Sequence, residues 1–230
     1  MFYYGELDIT YFVFVMPTLV FSLICQLMVK TTFSKYAKVL TRRRITGEQA
    51  AVRVCSMGET RQTQIKAVPG HLTDHYNPKD DTIGLSQSVF GDTSVAAVGV
   101  AAHEAGHASQ YAQGYGPVKL RTVIYPVTRF ASTAAFPLIL AGVFFEYFQL
   151  INVGILFFGV AFFFQVVTLP VEFNASRRAL ALLESGNILD DDELRGARKV
   201  LTAAAMTYVA AMAVSLMQLV RLLLMTRNRR

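Results

Sequence analysis

Four apolar tracts organise this chain. Residues 9–29 carry no charge and are long enough to cross a bilayer as one helix. Pro17 lies inside that tract, where membrane helices tolerate it. Residues 130–148 and 151–169 form two further tracts, and Glu146, Gln149 and Asn152 mark their junction. This pattern predicts a two-span hairpin with a tight external turn. Pro170 is expected to break the second leg, and Val171-Glu172-Phe173-Asn174-Ala175-Ser176-Arg177-Arg178 starts a new helical pattern. Residues 201–220 are long enough for a fourth span, introduced by the acidic group Asp190-Asp191-Asp192-Glu193.

Between the first and second tracts the pattern changes to that of a small α+β unit. Thr46 and Gln49 have capping-box spacing and open a short helix that Gly58 can close. Residues 62–68 alternate polar and apolar before the Pro69-Gly70 turn. Residues 71–76 and 82–86 read as two more strands, the latter as a possible exposed edge beside which an extended substrate adds. Ser94 then caps a small-residue helix running to Gln113, with Gly114 just beyond.

The pattern divides the chain into an anchor (1–30), an α+β part (31–121), a membrane hairpin (122–170), a helix and polar loop (171–199) and a last membrane helix with a basic tail (200–230). The fold class is mostly α, multi-pass, with a small α+β unit. Hydrophobic residues make up 53% and charged ones 17%, too apolar for an ordinary soluble enzyme. The net charge of +6 comes without a basic stripe interleaved with aromatics, so no nucleic-acid partner is expected. Lys30, Lys35, Lys38, Arg42, Arg43 and Arg44 follow the first tract, whereas the leader before it is acidic. The positive-inside rule puts the N-terminus outside and the α+β part in the cytoplasm. If the fourth tract crosses, Arg221, Arg227, Arg229 and Arg230 fall outside, against the same rule. The two cysteines, Cys25 and Cys55, suggest no disulfide framework.

The chemistry lies in His103-Glu104-Ala105-Gly106-His107, an H-E-x-x-H pattern within the predicted helix. Residues four apart share a helix face, so both imidazoles can reach one zinc ion, with Glu104 beside them as the base. Two imidazoles and a carboxylate on one buried face are costly without a metal or partner. A catalytic zinc normally takes a third protein ligand. Gln110 and Gln113 stand where an extended motif would carry Gly and His, so the third ligand comes from elsewhere. His71 and His75, on one strand, would lie about 13 Å apart, too far to share an ion. Glu172 is favoured because two intervening spans return it to the side of His107. Glu184 and the 190–193 acidic group are its competitors, and an ion pair of Glu172 with Arg177 or Arg178 is the alternative role.

The stretches 69–76, 98–110, 169–183 and 196–224 resemble the YugP-type membrane zinc metallopeptidases over nearly the whole chain. More distantly the chain is similar to the HtpX-like membrane proteases, in which a zinc helix, a hairpin and a glutamate helix follow in that order. The wider class reads Glu-x-x-Ala-Asp in the last of these, whereas Ser176 replaces the aspartate here. The resemblance implies a gluzincin-like zinc peptidase in which Zn2+ is held by His103, His107 and Glu172, with Glu104 as general acid–base. Ser176 then stands where the class orients a ligand histidine, and His75, Arg177, Arg178 and His71 are candidates for oxyanion or supporting roles. The expected partners are a peptide or membrane-protein substrate and the bilayer. The competing functions are a zinc-containing membrane adaptor without turnover and a zinc hydrolase of lipidated substrates.

Overall fold

The computed structural model describes residues 9–60 and 62–227, so the acidic leader and the end of the basic tail lie outside the described residues. A π-helical turn, Tyr11–Val15, leads into α1 (Met16–Tyr36). Then come α2 (Gly47–Met57), β1 (Gln64–Val68), β2 (His75–Asn77), β3 (Thr82–Ser86), the single turn α3 (Gln87–Phe90), α4 (Val95–Ala112), α5 (Gly116–Phe144), α6 (Phe148–Ser185) and α7 (Asp191–Arg227). The chain divides into two units, one of residues 27–119 and 170–206, the other of the remainder.

The second of these is helical. α1, α5, α6 and α7 each contain a stretch long and apolar enough to cross a membrane, and only 11–28% of those stretches is buried. Phe130, Phe136, Leu156 and Phe163 point outward, an apolar surface suited to lipid. The π turn ends two residues before Pro17, and both are features at which helices bend. α5 and α6 meet through small residues: a Cβ on Gly154 would lie 2.5 Å from Ile139 Cγ1 and 2.9 Å from the Ala135 carbonyl oxygen. Residues 145–147 turn the hairpin, closed by the Tyr147 N–H on the Gly142 carbonyl at 2.8 Å.

The other unit is the α+β part, and it includes the start of α7 and the portion of α6 from Pro170 onward. Its core is alanine- and valine-rich, with Ala50, Ala51, Val54, Val89, Val95, Val98, Ala101, Ala102, Ala105 and Leu183 all fully buried. The Thr46–Gln49 capping box forms at α2, and Ser94 caps α4 by accepting from Ala97 N–H at 3.2 Å. Glu193, buried in the first turn of α7, accepts from Asp190 N–H and from Arg42 N–H at 2.9 and 2.6 Å. Arg42 also pairs with Asp190 and Asp192, so part of the basic run that follows the first tract clamps the start of α7.

Three expectations are corrected. Residues 82–86 are not an edge: β3 is central, parallel to β1 and antiparallel to β2, and wholly buried. Its backbone groups are paired on both sides, so no substrate strand adds there. Residues 71–76 are not one strand either, because Gly70 and Leu72 adopt φ of 105° and 57° and Thr73 Oγ1 closes a turn on the Pro69 carbonyl. Only the His75–Asn77 stretch pairs with β3. Pro170 does not end its helix, since α6 continues to Ser185. A proline removes one ladder bond, and the buried Val171, Glu172, Ala175 and Ala179 that follow keep the helix packed.

Candidate metal centre

The centre forms where α4 meets the α+β portion of α6. Gly106, inside the H-E-x-x-H motif, makes the approach possible: a Cβ there would lie 2.5 Å from the Ala175 carbonyl oxygen. Ala105 and Ala175 are themselves fully buried. This small-residue contact places Glu172, one turn before Ala175, opposite the histidine face of α4.

His103 Nε2 and His107 Nε2 lie 3.4 and 3.5 Å from Glu172 Oε2, and one ligand atom from each residue falls within 4.8 Å of the others. The spacing is closer to that of a metal site than to that of a charge-assisted hydrogen bond. Charge-assisted hydrogen bonds are about 2.7–2.9 Å long. A tetrahedral zinc with ligand bonds of about 2.0–2.1 Å has ligand–ligand edges of roughly 3.3 Å. The observed distances match the edges, and two imidazoles with one carboxylate suit zinc by donor chemistry. The rings stand edge to face with centroids 4.7 Å apart.

Glu104 is 8% exposed, and among the described residues no hydrogen bond or ion pair engages its carboxylate. It is thus held beside the histidines without a competing partner. Burial alone would push the His107 imidazole down, but contact with Glu172 and the charge of Glu104 outweigh it and raise its pKa.

Each histidine is supported through Nδ1. Ser176 Oγ lies 3.1 Å from His103 Nδ1, at the position where the wider class carries aspartate. His107 Nδ1 meets Gln110 Oε1 at 3.0 Å. Gln110 is fully buried, and its Nε2 reaches the Val171 carbonyl at 2.7 Å and Asn174 Oδ1 at 3.0 Å. Arg178 binds Asn174 Oδ1 through Nε at 2.7 Å, Ser109 Oγ through Nη1 at 3.1 Å, and Gln113 Oε1. Sequence reasoning noted Gln110 and Gln113 only as departures from a longer motif. The available signal was the spacing of Gln110, three residues after His107 and so on the same helix face.

The remaining candidates are not among the three residues whose ligand atoms could share one ion. His75 begins β2, beside Gly84, and its Nδ1 donates to the Thr73 carbonyl at 2.9 Å. In the neutral ring Nε2 is then an acceptor, so His75 donates to an oxyanion only as imidazolium. His71 packs edge-on against Phe33 at 5.8 Å. Arg177 is exposed on α6, and the neighbouring Arg178 makes the contacts described above.

Residues 11–227 match the family described as "Putative neutral zinc metallopeptidase". A relative from Bacillus subtilis (strain 168), named "Putative membrane protease YugP", is 43% identical over 205 residues, spanning 89% of this chain and 91% of that protein. No solved structure matches the chain. With the match running from the first apolar helix to the last, and enclosing the two histidines and the glutamate, the chain belongs to the neutral zinc metallopeptidase family.

Proposed function

We propose that this chain is a membrane-embedded, gluzincin-like zinc endopeptidase that cleaves peptide bonds in membrane-protein substrates. Its proposed orientation has the N-terminus outside and the active centre at the cytoplasmic face, and its proposed role is membrane-protein quality control. The observation that carries the reading is the set of edges joining His103, His107 and Glu172, which fit a zinc tetrahedron, with an unengaged Glu104 beside them.

In this reading His103, His107 and Glu172 hold zinc. When bound, zinc acidifies a water and polarises the scissile carbonyl. Glu104 takes the proton at its carboxylate and returns it to the departing amine, a role that needs a carboxylate free of other partners. Ser176 and Gln110 hold the imidazoles in place through Nδ1.

The test is incubation of the detergent-purified full chain with an unfolded protein substrate, with and without chelator, beside Glu104→Gln. The wild type should cleave it, and chelation should abolish cleavage. Glu104→Gln should lose cleavage while retaining zinc. Zinc retention without turnover in the wild type would instead support a non-catalytic adaptor, and release of a lipid group alone would support a hydrolase of lipidated substrates.

A further inference from the structure

The two ligand histidines are supported differently, and the difference lies in which partners can reverse their hydrogen-bonding role. A serine hydroxyl both donates and accepts, so Ser176 leaves the proton of His103 on either nitrogen. The partners of His107 have no such freedom. The Arg178 guanidinium only donates, so the Asn174 atom 2.7 Å from its Nε must be the amide oxygen. The Val171 carbonyl only accepts, at 2.7 Å from Gln110. The Gln110 atom facing both acceptors must therefore be its nitrogen, and the atom facing His107 its oxygen. An amide oxygen carries no proton, so Nδ1 of His107 does.

We propose that Gln110, oriented by Asn174 and Arg178, is a positioning residue that fixes the Nδ1–H tautomer of His107 and thereby presents Nε2 as a ready metal ligand. The arrangement opposes a competing one. Glu172 Oε2 lies 3.5 Å from His107 Nε2, and a proton on Nε2 could be donated to it. Such a proton occupies the lone pair that zinc needs. Gln110 holds the proton on the other side of the ring with a neutral group, adding no negative charge behind the ligand. Gln110 is fully buried, and two of its three contacts are to oxygens that only accept, the Val171 carbonyl and the Asn174 oxygen held by Arg178, so a flip would set its own oxygen against both. The inference rests on the zinc reading above, and its readout is separate from turnover.

The experiment uses the full chain in detergent with 15N-labelled histidine, stripped of zinc and held at the alkaline plateau of the ring titrations. The chain has four histidines, which His71→Asn, His75→Asn and His103→Asn variants assign. Wild-type His107 should show a protonated Nδ1 and an unprotonated Nε2. Gln110→Leu and Asn174→Leu should move the proton to Nε2 and weaken zinc binding about 10–100-fold in chelator competition. Asn174→Asp keeps an acceptor for both Arg178 and Gln110, so it should retain the wild-type tautomer and affinity. Nε2-protonated His107 in the wild type overturns the proposal. So does a folded Gln110→Leu, or in its place Asn174→Leu, that keeps both the proton on Nδ1 and wild-type zinc affinity. A protein that proves to have no peptidase activity contradicts the function while leaving the tautomer result intact, so the two failures are distinguishable.

Discussion

Gly106→Ala should remove zinc without unfolding the protein. The new methyl carbon would sit 2.5 Å from the Ala175 carbonyl oxygen and 3.2 Å from its carbon, both backbone atoms. Ordinary C···O contacts begin near about 3.3 Å, so α4 and α6 must separate by roughly 0.8 Å. Metal–ligand distances hold to within about 0.2 Å, and Glu172 rides on the displaced stretch of α6. The loss of zinc affinity should therefore exceed the roughly 10–100-fold that follows loss of an outer hydrogen-bond partner. Stability moves little by comparison. Overpacking costs about 1–3 kcal/mol, and replacing a mid-helix glycine with alanine returns about 1 kcal/mol. The net loss of up to about 2 kcal/mol is small against a typical stability of roughly 5–15 kcal/mol. Chelator competition with metal analysis gives the affinity, and circular dichroism reports the fold. A folded Gly106→Ala that binds zinc as the wild type does would refute the claim that this contact sets the spacing of the ligands.

Other perturbations address separate parts of the molecule. Zinc binding should weaken as pH falls, because the contact with Glu172 raises the His107 pKa above its ordinary 6.5 and the proton competes with the metal. Affinity measured against pH should therefore level off only above that value; a plateau reached well below it would contradict the assigned contact. Burial pushes the Cys55 thiol up, although Thr60 acts the other way, so at pH 8 little thiolate is present. In a Cys25→Ser background, maleimide labelling should be far slower in the folded than in the denatured protein, and equal rates would show Cys55 accessible. Thr46→Ala removes the capping box on α2 and should cost about 1 kcal/mol, lowering the thermal midpoint by roughly 2–4 °C.

Features set by near neighbours in the chain were legible from the sequence. The capping box at Thr46 and Gln49, the Ser94 cap and the two histidines one turn apart each depend on residues within four positions. Counting spans points to Glu172, since a hairpin returns the chain to the same side. Features set by distant partners were not legible. Gln110 contacts Val171, 61 residues away, and without that contact it reads as a missing histidine. The central place of β3 depends on which strands pair on either side, which alternation within residues 82–86 does not encode. Pro170 by its local effect alone predicts a helix end, whereas the helix runs on to Ser185 with Val171, Glu172 and Ala175 buried.

Zinc stoichiometry of the wild type, Glu104→Gln and Glu172→Ala, measured on folded, detergent-purified protein, tests the proposed centre most directly. The account predicts about one zinc per chain in the first two and little in the third, as expected for a catalytic site with three protein ligands. Zinc retained at wild-type stoichiometry and affinity by Glu172→Ala would contradict it.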